Sequence, residues 1–109
     1  MLSARFATNP FIIGYDALND PSTVNSIKDA SLKKRGVIDK KLLQPLYERI
    51  FEKISANDSD AIMWFEPAAV PNTSSNFNKG NIYPTGFDEP PGGKVGSANH
   101  VLGYHAYCC

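Results

Sequence analysis

The sequence predicts an α/β fold built on a parallel sheet. Three observations carry this. Short β-favouring apolar runs recur at three places in the 109 residues, and one amphipathic helix stands between the first two. A long stretch rich in Pro, Gly, Asn and Ser separates the second run from the third. Strands joined by connections of this length pair in parallel, because a parallel neighbour needs a crossover rather than a hairpin.

The first strand spans Phe11 to Leu18, a near-continuous apolar run of the kind buried on both faces of a parallel sheet. It stops at Asn19-Asp20-Pro21, three residues that start turns well. The helix covers Asp39 to Ala56. Leu42, Leu43, Leu46, Ile50, Phe51 and Ile54 fall on one side at spacings of three and four, with Lys40, Lys41, Glu48, Arg49, Glu52 and Lys53 opposite. Pro45 is tolerated only in a first turn, so the regular helix is expected to start near Gln44. The second strand is Ala61 to Phe65, ending in Glu66-Pro67, and the third is His100 to Tyr107. Between them, residues 68–99 show no helical period, and an unstructured connection of that length is uncommon in a compact domain unless it is functional or disordered. No internal repeat or low-complexity tract interrupts the pattern. Three parallel strands and one helix leave open edges and an uncovered face, so residues 1–109 are expected to be part of a larger domain.

Composition excludes several classes. Lys and Arg total 11, as do Asp and Glu, so the formal charge is zero and a nucleic-acid partner is not expected. The one compact basic cluster, Lys33-Lys34-Arg35, reads as a solvated loop. No apolar run approaches the ~18 residues of a membrane span, and no signal peptide is visible. Cys108 and Cys109 are adjacent, so a bond between them would be strained. With no C-x-x-C, and with His100 and His105 near the cysteines only in sequence, no metal site is expected. Asn57-Asp58-Ser59 and Asn72-Thr73-Ser74 are sequons that a secreted chain would expose to glycosylation.

Side chains alternate along a strand, so phase groups residues by face. Ile12, Gly14, Asp16, Leu18 and Asp20 share one parity on the first strand. Ile62, Trp64 and Glu66 share one on the second, and Val101, Gly103, His105 and Tyr107 on the third. Each strand thus carries proton-handling groups to its C-terminal end: Asn19 and Asp20, then Glu66, then His105 and Tyr107. In an α/β barrel that end is where chemistry sits. Taken singly, each residue is better explained by a buried structural role; three strand ends agreeing is harder to dismiss. Asp16, four residues before Asp20, is expected to be a buried charge held by a structural pair. Trp64 and Tyr104 lie mid-strand and are expected in the core, although either ring would suit stacking on a sugar. Glu66 divides evenly between two roles, a rim contact to substrate and a structural cap or pair.

Four segments, "IIGYDALNDP", "LLQPLYERIFEKI", "AIMWFEP" and "GFDEPPGGK" followed by "HVLGYHAYC", together resemble glycoside hydrolase family 5 of clan A, and within it the endoglycoceramidases. "GYDALNDP" is similar to the family's Asn-Glu-Pro strand and "YHAY" to its His-x-Tyr strand. The segments occur in the family's order and cover most of the chain. The resemblance implies a fragment of a (β/α)8 TIM barrel, roughly strands four to six, from a retaining glycosidase. Such enzymes hold two carboxyls roughly 5–5.5 Å apart and pass through a covalent glycosyl-enzyme. It places Asp20 at the acid/base position and Asn19 where the family's asparagine binds the sugar 2-hydroxyl. It places His105 and Tyr107 at the pair that lines the site, the tyrosine near the nucleophile.

Two departures matter. The family has Glu where this chain has Asp20, one methylene shorter, and a misplacement of about 1 Å can cost on the order of 10²-fold in rate. The nucleophile's strand, the family's early arginine and histidine, and its late tryptophan are absent, so the 109-residue polypeptide alone is expected to be inactive. The resemblance then implies cleavage of the bond between oligosaccharide and ceramide in glycosphingolipids, with no metal or organic cofactor. It leaves room for peripheral contact with membrane lipid, and implies an extracellular or lysosomal setting. The alternatives are another family 5 β-glucoside hydrolase, or a non-catalytic fragment or pseudoenzyme with at most a binding role.

Overall fold

The computed structural model describes residues 1–21, 28–34, 36–68, 85–93 and 97–105. Three parallel strands, β1 (Gly14–Asp16), β2 (Ile62–Phe65) and β3 (His100–Leu102), form a sheet in the order β1-β2-β3. The register sets Asp16 beside Trp64 and Trp64 beside Val101. A short helix α1 (Leu2–Phe6) precedes β1, and a π-helical turn (Asp39–Leu43) runs into helix α2 (Gln44–Ser55) between β1 and β2. Parallel pairing and alternation with helix are as the sequence implies; α1 carries no signal that the apolar pattern reveals.

Helix α2 covers one face of the sheet. Leu43, Tyr47 and Ile54 from its side meet Met63 and Phe65 of β2, with Leu32, Ile38 and Ala61 completing the buried core. Phe87 closes that seam: its ring lies 5.3 Å from Phe65 and 6.0 Å from Tyr47, both edge-on, the arrangement aromatic quadrupoles favour. Gln44 fixes the stretch that carries Phe87. Its side-chain oxygen accepts the Asp88 N–H (3.0 Å) and its nitrogen donates to the Glu89 carbonyl (3.0 Å). Asp39, only 4% exposed, binds both flanks of the connection between β2 and Phe87. Its two oxygens accept the N–H groups of Ala68 (2.7 Å) and Gly86 (2.8 Å).

Pro45 falls in the first turn of α2, and α2 starts at Gln44. Proline lacks an N–H and its ring crowds the carbonyl four residues earlier, so the preceding turn widens: Gln44 N–H bonds the carbonyl of Asp39, five residues back. That wider turn shifts the phase. Leu42, placed by the spacing on the apolar side, is 42% exposed, while Tyr47, on the i+4 track from Leu43, is fully buried.

The first strand is shorter and more exposed than its composition suggests. Phe11 is 90% exposed and Ile13 67%, against the expectation of a run buried on both faces. Asn9 is the reason: its side chain accepts the Phe11 N–H (3.0 Å) and its carbonyl accepts the Ile12 N–H (3.1 Å). This Asx-type turn takes Phe11 and Ile12 out of the ladder. Among the described residues β1 is also a sheet edge, paired with β2 alone. Gly14 suits the crowded crossing, since a Cβ there would collide with the Ile62 carbonyl and come within 2.6 Å of the Trp64 ring. The ladder of the third strand ends at Leu102, though Gly103 N–H still reaches the Phe65 carbonyl (3.0 Å). Residues 106–109, with Tyr107, Cys108 and Cys109, lie outside the described residues, as does Asn72.

The face opposite α2 carries Asp16, Trp64 and Val101 and is covered by no described element. Asp16 is therefore exposed rather than a buried paired charge, and Trp64 is half-buried rather than core. Tyr104, past the end of β3, is 73% exposed and likewise not core.

Candidate active site

The chain leaves β1 through Ala17, whose N–H bonds the Trp64 carbonyl (3.4 Å), and turns at Leu18-Asn19-Asp20. Asp20 has φ 46°, the only positive value at a non-glycine position among the described residues. Short polar side chains tolerate this left-handed region best, and an outlier of this kind persists only where surrounding contacts hold it. Here Asp20 N–H donates to Glu66 Oε2 (2.9 Å), and Pro21 beyond it is buried.

Glu66 follows β2 directly and is 4% exposed. Its main chain is clasped by one phenol: the Tyr47 hydroxyl donates to the Glu66 carbonyl (3.1 Å) and accepts the Glu66 N–H (3.2 Å). The third strand passes close over the side chain. A Cβ on Gly103 would sit 3.5 Å from Glu66 Cγ, ordinary contact, so the chain lies against the carboxylate stem. Two residues on, the His105 imidazole bridges the two carboxylates. Nδ1 lies 3.2 Å from Asp20 Oδ1, and Nε2 lies 3.2 Å from Glu66 Oε1.

Asp20, Glu66 and His105 thus meet at the C-terminal ends of three adjacent parallel strands. Asp20 and His105 are about a third exposed (34% and 36% for their side chains) and Glu66 is buried, so the cluster opens to solvent on the Asp20–His105 side. Neither carboxylate oxygen can donate unless protonated, so each contact to the imidazole needs its own proton. Two protons over three groups give either an imidazolium between two carboxylates or a neutral imidazole with one carboxylic acid. Both have a net charge of −1, and they differ by one proton moved along a hydrogen bond. Imidazole and carboxylate donors within 4.8 Å of one another are also the set a divalent cation takes. Here the imidazole lies 3.2 Å from each carboxylate and the Asp20 N–H binds Glu66, an arrangement that equally suits proton sharing among the three.

Asn19 is exposed beside Asp20, and Tyr107 lies outside the described residues. Glu66, which divided evenly between rim and structural roles, has both oxygens engaged inside the protein. His100 is separate from the site, its ring against Phe51 with centroids 4.6 Å apart. Sequence reasoning missed Tyr47, although its place between Leu43 and Ile54 at spacings of four and seven marks it as core-facing. A core-facing tyrosine also needs a hydroxyl partner, which the Glu66 backbone supplies.

Burial holds the Tyr47 phenol pKa above its ordinary 10.0, and the nearby negative charge of Glu66 adds to this, against the lowering effect of the Glu66 backbone bond. Tyrosine's folded pKa is raised, so its contribution to stability is intact below pH ~10, where the unfolded side chain titrates, and is lost as pH rises through the higher folded value. Tyr47→Phe is expected to cost about 1–3 kcal/mol at neutral pH, because it leaves the Glu66 N–H and carbonyl buried without that partner. The variant should also lose part of the alkaline destabilisation. Urea unfolding at pH 7 and pH 11 measures both.

Over 102 residues, 94% of the chain, the sequence is 32% identical to an endoglycoceramidase of Hydra vulgaris, of which it spans 18%. Over 96 residues, 88% of the chain, it is 30% identical to an endoglycoceramidase of Cyanea nozakii, of which it spans 17%. The chain is related to these proteins over nearly its whole length but spans less than a fifth of theirs. No family model and no solved structure matches it.

Proposed function

We propose that the chain is the central part of the (β/α)8 catalytic domain of a retaining glycoside hydrolase of the endoglycoceramidase kind, roughly strands four to six of a family 5 barrel. The observation that carries this is the meeting of Asp20, Glu66 and His105 at the C-terminal ends of three parallel strands in sequential order. Barrel enzymes place their chemistry at that end. The relation to two endoglycoceramidases supports it. In this reading the uncovered face with Asp16, Trp64 and Val101 is turned to the barrel interior, and further strands continue both sheet edges. Asp20 protonates the leaving oxygen and later deprotonates water, Asn19 and Tyr107 line the sugar site, and a carboxylate outside this chain is the nucleophile. The substrate is a glycosphingolipid, cleaved between sugar and ceramide. Lipid contact in this reading is peripheral; among the described residues no helix is long and apolar enough to cross a membrane.

The test is hydrolysis by the full-length protein encoded around this segment, on a glycosphingolipid and on an aryl β-glucoside. Release of ceramide, with the glycolipid preferred, is the expected result. Preference for the aryl glucoside points to a different β-glucosidase of the family. A message that stops directly after Cys109 supplies no nucleophile and overturns the enzyme reading. A second reading, a non-catalytic binding protein, is favoured by one observation: Asp20 stands where the resemblance calls for Glu.

A further inference from the structure

We propose that Glu66 is the positioning residue of this site, holding a proton on Nε2 of His105 so that Nδ1 is turned to Asp20. The inference rests on the glycosidase reading for its kinetic consequence, and on geometry alone for the proton's place.

Glu66 is the one member of the cluster withdrawn from solvent, and each of its oxygens serves a different strand end. Oε2 accepts the Asp20 N–H, and Oε1 faces His105 Nε2. Acceptance at both oxygens is the role of an ionised carboxylate, and a backbone N–H can only donate. The Tyr47 hydroxyl fixes the Glu66 main chain on both sides, so the carboxylate is aimed from a rigid base. Which imidazole nitrogen carries a proton is set by the hydrogen bond the other one makes. With Nε2–H given to Glu66, Nδ1 has two states toward Asp20. It accepts from the carboxylic acid when the ring is neutral, and donates to the carboxylate when the ring is an imidazolium. The single mobile proton therefore lies between Nδ1 and Asp20 Oδ1. When Asp20 gives its proton to a leaving oxygen, the cluster passes from −1 to −2, and the proton taken back from water returns it to −1. Glu66 touches no reacting atom in this scheme; it acts through His105 and through the Asp20 backbone.

The test uses the full-length protein with ¹⁵N-labelled histidine, unmodified and as Glu66→Gln and Glu66→Asp. In the unmodified protein His105 Nε2 is expected to show the shift of a protonated ring nitrogen. Glu66→Gln keeps shape but can present an N–H to Nε2, so Nε2 becomes the acceptor, its resonance moves to that of an unprotonated nitrogen, and Nδ1 carries the proton. A wrong tautomer costs up to about 10⁴-fold in kcat in a serine-protease triad; for a group acting through a neighbour of the acid, a loss of about 10- to 10²-fold with KM within about twofold is expected. Glu66→Asp, which keeps the carboxylate, is expected to keep the Nε2 proton and recover part of that loss. An unprotonated Nε2 in the unmodified protein overturns the proposal, whether or not the variants fold. So does Glu66→Gln with an unchanged resonance. A raised KM at constant kcat also overturns it, since Glu66 would then be a substrate contact. If the protein hydrolyses no glycoside, the functional reading fails and the resonance of Nε2 still decides this one.

Discussion

Asp20→Glu in the full-length protein is expected to raise kcat on glycosphingolipid by about 10²-fold with KM within about twofold, and Asp20→Asn to lower it by at least that factor. The reasoning is geometric. Asp20 is fixed at φ 46° by its N–H bond to Glu66 Oε2 and by the buried Pro21 that follows, so its backbone has little freedom to carry a short side chain further out. Its Oδ1 lies 3.2 Å from His105 Nδ1. On the proposed glycosidase reading the carboxyl is therefore held about one methylene short of the reach a glutamate at this position would have, the scale of displacement that separates an effective proton donor from a poor one. Glutamate is less comfortable than aspartate in the left-handed region, because the short polar side chain is what hydrogen-bonds locally there. The gain in turnover should therefore come with a small loss in melting temperature. A full steady-state comparison of the three proteins separates the readings. A large gain marks an enzyme detuned at its acid. No gain from glutamate, together with no loss from asparagine, removes Asp20 from catalysis and leaves the binding reading.

Much of this arrangement was legible because single-residue physics agreed with context. The run "AIMWF" is apolar, short and bounded, and it is β2, the central strand. Pro45 suits a first turn within the helix read over Asp39–Ala56, and the regular helix α2 starts at Gln44 after a π turn. Parity within each strand groups Gly14 with Asp16 and Ile62 with Trp64, and the register, which parity does not set, brings Asp16, Trp64 and Val101 side by side. The failures have two sources: turn geometry set by near neighbours, which an apolar pattern does not show, and contacts with elements far away in sequence. Phe11 is apolar enough for a core, yet a turn made by Asn9 removes it from the sheet. Leu42 has the right spacing for an ideal helix, and the π turn forced by Pro45 rotates it outward. Asp16 and Trp64 share a face that no described element covers. At the site, Asp20, Glu66 and His105 were legible as candidates because each closes a strand. That His105 would bridge both carboxylates follows from the stagger of three strand ends, which no local pattern encodes.

The largest stability effect is expected at Asp39 rather than at any charge in the site. Asp39→Ala should cost about 3–5 kcal/mol, since hydrogen bonds to a charged group contribute about 1.5–3 kcal/mol each and the two N–H donors left behind are partly buried. Both contacts are short, 2.7 Å to Ala68 N and 2.8 Å to Gly86 N, and the side chain is shut away from water. The nearby Lys40–Asp88 pair is just as short at 2.8 Å, but its side chains are 62% and 64% exposed, and such pairs contribute about 0–1 kcal/mol. Length alone would rank the two equally; solvent decides between them. Asp39→Asn should fall between, because an amide keeps one acceptor and turns a donor toward the other N–H. The consequence is not confined to stability. Gly86 immediately precedes Phe87, Phe87 packs on Tyr47, and Tyr47 clasps the backbone of Glu66. Releasing Gly86 therefore loosens the support of the carboxylate that orients His105. Urea unfolding of the full-length protein with Asp39→Ala, Asp39→Asn and Asp88→Ala should give the order large, intermediate and near zero. If Asp39→Ala costs no more than Asp88→Ala, the buried carboxylate is not what ties the β2 exit to the Phe87 strap, and the path from that strap to the site has no anchor.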